Sequence, residues 1–156
     1  MNHFEKVFQC FPPSIQCQIN SMDRYTREAI EEVRVYKGKE IQVFAAGKRL
    51  SLSGKIEGND ISNLLNNLMK FSYYAYEDDL AKGFITIDGG HRVGICGKAV
   101  VEKGRVTLIR EVSSLNIRYS KEVIGCSDSL THLLINSDRS LNSMLIVSPP
   151  GCGKTT

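Results

Sequence analysis

The sequence predicts an α+β N-terminal domain, built from helices and antiparallel meanders, followed by the first strand of a truncated α/β core. Three observations support this fold class: helical spacing of apolar residues, two stretches of period-two alternation, and an unbroken apolar run from Met144 to Val147. A chain of 156 residues has room for one domain, or for one domain and part of another. We therefore predict domains at 1–122 and 123–156.

The first third of the chain reads as two helices and a three-stranded meander. A helix begins at Pro12-Pro13-Ser14, with Ile15 and Ile19 on one face, and a second runs from about Asp23 to Glu31 with Asp23 as its N-cap. From Val33 the period changes to two, with turns at 37–39 and 46–48.

The middle of the chain begins with the clearest helix, capped by Asn59 or Asp60. Its apolar stripe consists of Ile61, Leu64, Leu65, Leu68 and Met69. A further helix runs from about Tyr73 to Lys82 and ends at Gly83. Strands are then expected at 84–87, 92–101, 106–109 and 115–119, with turns at 88–90 and 102–104. After a linker at 123–125, a helix begins at Ser127-Asp128, and the run 144–147 suits a strand buried on both faces.

Composition excludes several classes of protein. Apolar residues make up 42% and charged residues 24%, as in an ordinary soluble domain, and a net charge of +3 is too mild to indicate nucleic acid or a membrane surface. No secretory signal and no apolar run of transmembrane length is present. The five cysteines are odd in number and lack a C-x-x-C pair, which argues against a disulfide framework and a zinc site.

The chemistry-bearing motif directly follows the apolar run. A phosphate-binding loop has the pattern G-x-x-x-x-G-K-[ST] between a strand and a helix. Gly153, Lys154 and Thr155 match its second half, and Ser148 stands where the first glycine is expected. The predicted nucleotide-binding residues are Ser148, Pro149, Pro150, Gly151, Cys152, Gly153, Lys154, Thr155 and Thr156.

The residue types fit that chemistry. Gly151 and Gly153 allow successive backbone N–H groups to turn toward phosphate oxygens. Lys154 brings a positive charge to the β- and γ-phosphates, and the Thr155 hydroxyl binds Mg²⁺. We therefore predict ATP and Mg²⁺ as cofactors, with Lys154 and Thr155 as catalytic residues and Thr155 as the metal ligand. The alternative is a glycine-rich turn that contains Lys-Thr by chance; the strand context and the double glycine favour the loop.

The acidic Mg²⁺-supporting strand, the sensor and the arginine finger of a complete P-loop ATPase are not found before Thr156. We expect the intact protein to be an ATPase, and the 156-residue chain to hydrolyse no ATP and to bind it weakly.

Two segments resemble the stage III sporulation protein AA family, and Glu31 to Val35 is a looser match. The two segments are Met144 to Thr156 and Gly83 to Tyr119, the latter with Gly90-His91-Arg92-Val93-Gly94 and Leu115-Asn116-Ile117-Arg118. That family is similar to the type II and type IV secretion ATPases. The resemblance implies a RecA-like ATPase core, a hexameric ring, and membrane proteins of a sporulation channel complex as partners. It also implies a cytoplasmic location, with peripheral contact to the membrane left open.

The resemblance also points to arginines of the N-terminal domain. It implies that Arg92, Arg110 and Arg118 contact nucleotide phosphates at a domain or subunit boundary, for which guanidinium is suited. The alternative is that these arginines pair with Glu111, Glu122 or solvent on an exposed strand face.

The leading interpretation is therefore an ATP-driven motor of a membrane-associated assembly. The main rival is a nucleic-acid-binding module fused to an ATPase, although we do not expect nucleic acid as a partner. Its basic face would be formed by Arg34, Lys37, Lys39, Lys48 and Arg49. A third possibility is an oligomerisation domain whose ATPase part is regulatory.

Three weaker signals have ordinary structural interpretations. Gly94-Ile95-Cys96-Gly97 matches a KH-type G-x-x-G but lies in a strand pattern, which favours a bulge. His91 has no paired nucleophile and is expected to be a turn or strand residue. Tyr73, Tyr74 and Tyr76 are expected to pack against the 61–69 helix.

Overall fold

The computed structural model describes residues 3–70, 72–121, 124–136 and 138–149. The chain divides into two compact units, Met1–Ser120 and Lys121–Thr156. Residues 150–156, which carry most of the predicted phosphate-binding loop, lie outside the described residues, so the loop remains a prediction.

The described residues of the first unit include five short helices. They are α1 (His3–Phe8), α2 (Pro13–Ser21), α3 (Arg24–Glu28), α4 (Gly58–Leu68) and α5 (Glu77–Ala81), with a 3₁₀ turn at Tyr73–Tyr76. Asp23 is the N-cap of α3, as predicted, and its carboxylate accepts a hydrogen bond from the Thr26 N–H at 2.9 Å. Helix α3 is shorter than expected because β1 begins at Ile30.

The predicted cap of α4 was wrong. Glu57 is the N-cap, and Asp60 is the third residue of the helix. The Asp60 carboxylate accepts a hydrogen bond from the Glu57 N–H at 3.2 Å, so it stabilises the helix start from within the first turn. The apolar stripe of this helix is confirmed, since Ile61 and its helical neighbours in the stripe are buried.

Within the described part of the chain, six antiparallel strands form one sheet. They are β1 (Ile30–Tyr36), β2 (Glu40–Ala45), β3 (Lys48–Lys55), β4 (Phe84–Ile87), β5 (His91–Glu102) and β6 (Arg105–Arg118). Their order is β3-β2-β1-β6-β5-β4, so two meanders meet where β1 pairs with β6. The first meander is confirmed.

The second meander differs from the prediction at one strand. We expected two strands at 106–109 and 115–119, but β6 runs continuously from Arg105 to Arg118. Glu111 adopts a left-handed conformation, φ 47°, opposite a register shift between Cys96 and Lys98. This irregularity absorbs extra residues, so pairing resumes without a break. The bulge expected at Gly94–Gly97 is confirmed.

The core lies on one face of this sheet. Alternate strand residues such as Val33, Val43, Val93 and Ile117 are fully buried, and the helices contribute the opposite wall. Among the described residues of the first unit, no helix covers the other face, which carries half-buried and exposed side chains. We call this surface the open face.

The pair β5–β6 extends well past the rest of the sheet. β4 pairs with β5 only as far as Gly94, and β1 pairs with β6 only as far as Ser114. Residues 98–110 therefore form a two-stranded arm. It closes through a two-residue turn in which Lys103 and Gly104 have φ of 50° and 78°, typical of a type I′ hairpin.

The second unit contains a 3₁₀ turn at Asp128–Leu130 and α6 (Thr131–Leu134). The predicted buried strand at Met144–Val147 is not formed. Leu145 and Val147 are 87% and 83% exposed. A parallel-sheet strand needs neighbours for its main-chain N–H and C=O groups, and no described residue of this unit pairs with 144–147.

Candidate functional site

Two predicted phosphate-contacting residues are neighbours on the open face. Arg92 of β5 and Arg118 of β6 are register partners, and both side chains are exposed. They point outward because Val93 and Ile117, the next residues along each strand, are buried in the core. Residues directly opposite in an antiparallel pair have Cβ atoms about 4.5–5.5 Å apart, so the positive charges of these two arginines repel each other. Such a pair favours an anion between or above the guanidinium groups.

Arg110 does not join them. It lies opposite Lys98 in the arm, eight residues along β6 from Arg118, which corresponds to about 25 Å of strand. Glu111, one of the expected partners of these arginines, instead lies 3.5 Å from Lys98 Nζ. Glu122 lies outside the described residues.

The sequence did not single out Glu32 as part of this site. Glu32 is the register partner of Arg118 on β1, on the side away from Arg92. Its carboxylate accepts a hydrogen bond from Arg34 Nε, and this bond raises the pKa of Arg34. The Glu32 side chain is 18% exposed, and that of Arg34 is 38% exposed. Alternation along β1 places both residues outward, but only the β1–β6 register shows that they border Arg118.

Aromatic rings hold two of the guanidinium groups against the sheet. The Arg34 guanidinium lies 4.3 Å from the centroid of the Phe44 ring, and that of Arg92 lies 4.0 Å from the Phe84 ring. Each contact contributes about 0.5–1 kcal/mol at an exposed position. The charged heads are thereby restrained at the surface, where their N–H groups can meet a ligand. We call Arg34, Arg92, Arg118 and Glu32 the arginine cluster.

An asparagine on β6 adjoins the arginine cluster. Asn116 is the register partner of both Arg34 and Gly94, and Gly94 has no side chain to fill the space next to it. The Asn116 Oδ1 atom is buried and has no hydrogen-bond partner among the described residues. The register therefore places a partly buried asparagine at the edge of the arginine cluster.

The other candidate residues behave as ordinary structural groups. His91 is buried, and its Nδ1 accepts a hydrogen bond from the Ser120 N–H at 3.1 Å, which confirms a strand residue. Tyr76 is partly buried and packs against the hydrophobic core, and its contact with the 61–69 helix stays a prediction. Tyr74 does not pack against the core, since it is 93% exposed.

The basic face required by the nucleic-acid alternative is divided. Lys37 and Lys39 lie at the β1–β2 turn, whereas Lys48 lies at the β2–β3 turn, at the opposite end of β2. Lys48 also alternates with Arg49 along β3, so the two point to different faces. These residues form no single basic stripe.

Within the described ranges, no group of three or more His, Cys, Asp or Glu side chains is arranged to hold a metal ion. None of the helices described is long and apolar enough to cross a membrane.

The family model for sporulation stage III, protein AA matches residues 1–156. The chain belongs to this family. It is 32% identical over 151 residues to Stage III sporulation protein AA of Bacillus subtilis (strain 168), across 97% of this chain and 48% of that protein. The chain thus spans about half the length of this curated relative of the sporulation stage III, protein AA family.

Two solved structures are similar at a low level. The Legionella pneumophila ATPase DotB gives a TM-score of 0.44 at 10% identity, across 78% of this chain and 32% of that one. The VirB11 ATPase of the Brucella suis type IV secretion system, in complex with sulphate, gives 0.40 at 14% identity, across 93% and 40%. At these TM-scores, neither similarity bears on the function of this member of the sporulation family.

Proposed function

We propose that the complete protein is an ATP-binding motor of a sporulation-linked, secretion-type membrane complex. MgATP binds at residues 148–156, where Lys154 contacts the β- and γ-phosphates and Thr155 holds Mg²⁺. Family membership supports the biological role, and the phosphate-loop sequence supports the ligand. Subunits assemble in a ring, in the cytoplasm, against membrane proteins of the same sporulation stage.

The structural observation that carries this proposal is the pairing of Arg92 with Arg118. Two adjacent guanidinium groups on an uncovered surface suit the oxygens of a polyphosphate, because each presents a planar fork of N–H donors. Among the described residues, neither forms an ion pair with an acidic side chain. We propose that these two arginines contact the nucleotide phosphates. Arg110, which lies far along β6, does not take part.

The first test is MgATP binding by the full-length protein, measured by calorimetry. The Lys154→Ala variant should lose at least tenfold in affinity, since a hydrogen bond to a charged group contributes about 1.5–3 kcal/mol. Lys55→Ala, which removes an exposed lysine from the end of β3, is the matched control and should bind as the parent does. Absence of any MgATP affinity in the parent protein would refute the proposal.

The second test asks which of the three arginines contributes to ATP hydrolysis. Arg92→Ala and Arg118→Ala should each lower the ATPase rate of the full-length ring, while Arg110→Ala, on the same strand as Arg118, should leave it unchanged. Equal loss in all three variants would contradict a local phosphate role. The nucleic-acid alternative has no comparable support, because its basic residues are divided between two ends and two faces of the sheet.

A further inference from the structure

The arginine cluster contains its own negative charge. Glu32 lies directly opposite Arg118 in register and accepts the hydrogen bond of Arg34. Three guanidinium groups and one carboxylate therefore share one patch of the open face. The carboxylate occupies a position on one flank of Arg118, and Arg92 occupies the other.

A phosphate group and the Glu32 carboxylate have the same requirements. A carboxylate is planar and a phosphate group is tetrahedral, but both present anionic oxygens that accept paired N–H hydrogen bonds from a guanidinium group. Arg34 is already bound to Glu32. A phosphate chain lying across β5, β6 and β1 therefore meets Arg92, then Arg118, and then the carboxylate. Neighbouring strands are about 4.8 Å apart, so a chain of two or three phosphates reaches from Arg92 to the position of Glu32.

We propose that Glu32 is an internal counter-anion of the arginine cluster. Its carboxylate takes the place beside Arg34 and Arg118 that a phosphate group would otherwise take, and it thereby lowers the affinity of the cluster for a phosphate chain. This inference rests on the proposed phosphate role of Arg92 and Arg118 and adds a residue that sets how tightly they hold their ligand. Weaker binding allows release of the ligand. When no ligand is bound, the Glu32 carboxylate offsets the positive charge of the neighbouring arginines.

The aromatic contacts explain why this competition is possible without a large rearrangement. Phe44 holds the Arg34 guanidinium, so the head stays at the surface whether its partner is a carboxylate or a phosphate. Phe84 does the same for Arg92. Exchange of one anion for another then needs movement of Glu32 alone.

The experiment uses the 156-residue chain with Lys154→Ala, so that the loop lysine does not contribute, and inorganic tripolyphosphate as the probe. Affinity is measured by calorimetry at an ionic strength of about 0.1 M, where the screening length is about 10 Å, for this parent, for Glu32→Gln and for Glu40→Gln. Glu40 lies on the same face of β2, about 13 Å along the strands from the Glu32 row, and is the matched control. Glu32→Gln should bind about tenfold tighter, the effect of removing one like charge at contact distance near a surface. Glu40→Gln should bind within about twofold of the parent.

A double-mutant cycle distinguishes competition from a general change in the fold. In an Arg118→Ala background the gain from Glu32→Gln should shrink to less than about threefold, because the neighbouring guanidinium is missing. If Glu32→Gln does not fold, Glu32→Asp keeps the charge but shortens its reach to Arg34. It should then bind tripolyphosphate more tightly than the parent, but by less than Glu32→Gln is expected to, because Arg34 is released from the carboxylate and stays on Phe44 while the negative charge remains.

The inference is overturned if Glu32→Gln binds no better than the parent, if Glu40→Gln shows the same gain, or if the parent has no affinity for tripolyphosphate. These outcomes are separate from those of the proposed function. MgATP binding that depends on Lys154 in the full-length protein can succeed while each of these measurements fails.

Discussion

Replacing Gly97 with alanine should destabilise the first unit sharply. Gly97 lies in β5 at the bulge opposite Glu111. A Cβ atom there would be 2.6 Å from the Arg110 carbonyl oxygen, 2.8 Å from Ile109 Cγ2 and 3.1 Å from Val112 Cα, against an ordinary contact of 3.4–4 Å. Two of these three atoms are backbone, so β5 and β6 would have to separate by about 1 Å. Overpacking of this kind costs typically about 1–3 kcal/mol, and we expect the upper half of that range.

Gly94 provides the matched control on the same strand. A Cβ atom at Gly94 would be 3.7 Å from Asn116 Cβ and 3.8 Å from the Asn116 carbonyl oxygen, which is ordinary contact. Alanine also restricts the unfolded chain more than glycine does. We therefore expect Gly94→Ala to leave the free energy of unfolding unchanged or to raise it by about 0.5 kcal/mol.

The measurement is urea unfolding followed by far-UV circular dichroism, since the chain contains no tryptophan. The midpoint should fall for Gly97→Ala with little change in the slope of free energy against urea. Equal midpoints for the two alanine variants would refute the steric argument, because both replace a glycine in the same strand and differ only in what the new methyl group meets.

Two further predictions concern a helix cap and an asparagine with one buried oxygen. Hydrogen bonds from the side chain and backbone of Thr26 lower the pKa of Asp23 below its ordinary value of 3.8. A carboxyl group with a lowered pKa in the folded state stabilises the fold at pH above its unfolded-state pKa, and this stability is lost as the pH falls through the folded-state pKa. Asp23→Asn removes this titration, so the free energy of unfolding should decline less steeply toward acid pH. An unchanged decline would contradict the cap. Asn116→Val removes a buried Oδ1 atom without a partner among the described residues and should stabilise the first unit by about 1 kcal/mol, seen as a thermal midpoint about 3–5 °C higher. A lower midpoint would mean that the amide is satisfied.

Local pattern predicted most of the elements of the first unit. The apolar stripe that begins at Ile61 and the alternation around Val33 and Val43 predict which side chains are buried. They do so because residues spaced at the period of a helix or strand lie on one face of it. The start of α4 was misplaced because Asp60 can serve either as a cap or as the third residue that supports one. The single strand β6 was divided in the prediction because the left-handed conformation of Glu111 leaves no signature in a residue of that type.

Long-range register was not predictable. The sequence identified Arg92 and Arg118 through resemblance, but their position opposite each other depends on how β5 and β6 align. The same register excludes Arg110 from the pair and brings in Glu32 from a strand about 85 residues away in the chain. The apolar run 144–147 is a case in which local sequence predicted too much. Its composition predicted a strand, but no described residue of its unit pairs with it.

Because residues 98–110 form a two-stranded arm, β5 and β6 each have an inner part within the sheet and an outer part in the arm, and these parts differ in local stability. Where β1 and β4 flank them, opening the backbone requires disruption of a six-stranded sheet; beyond Ser114 and Gly94, each strand has one partner. Amide hydrogens of the outer half should therefore exchange with solvent through local fraying, while those of the inner half should exchange only when the whole unit unfolds. The tip around Lys103 can consequently vary in length and sequence without affecting the arginine cluster.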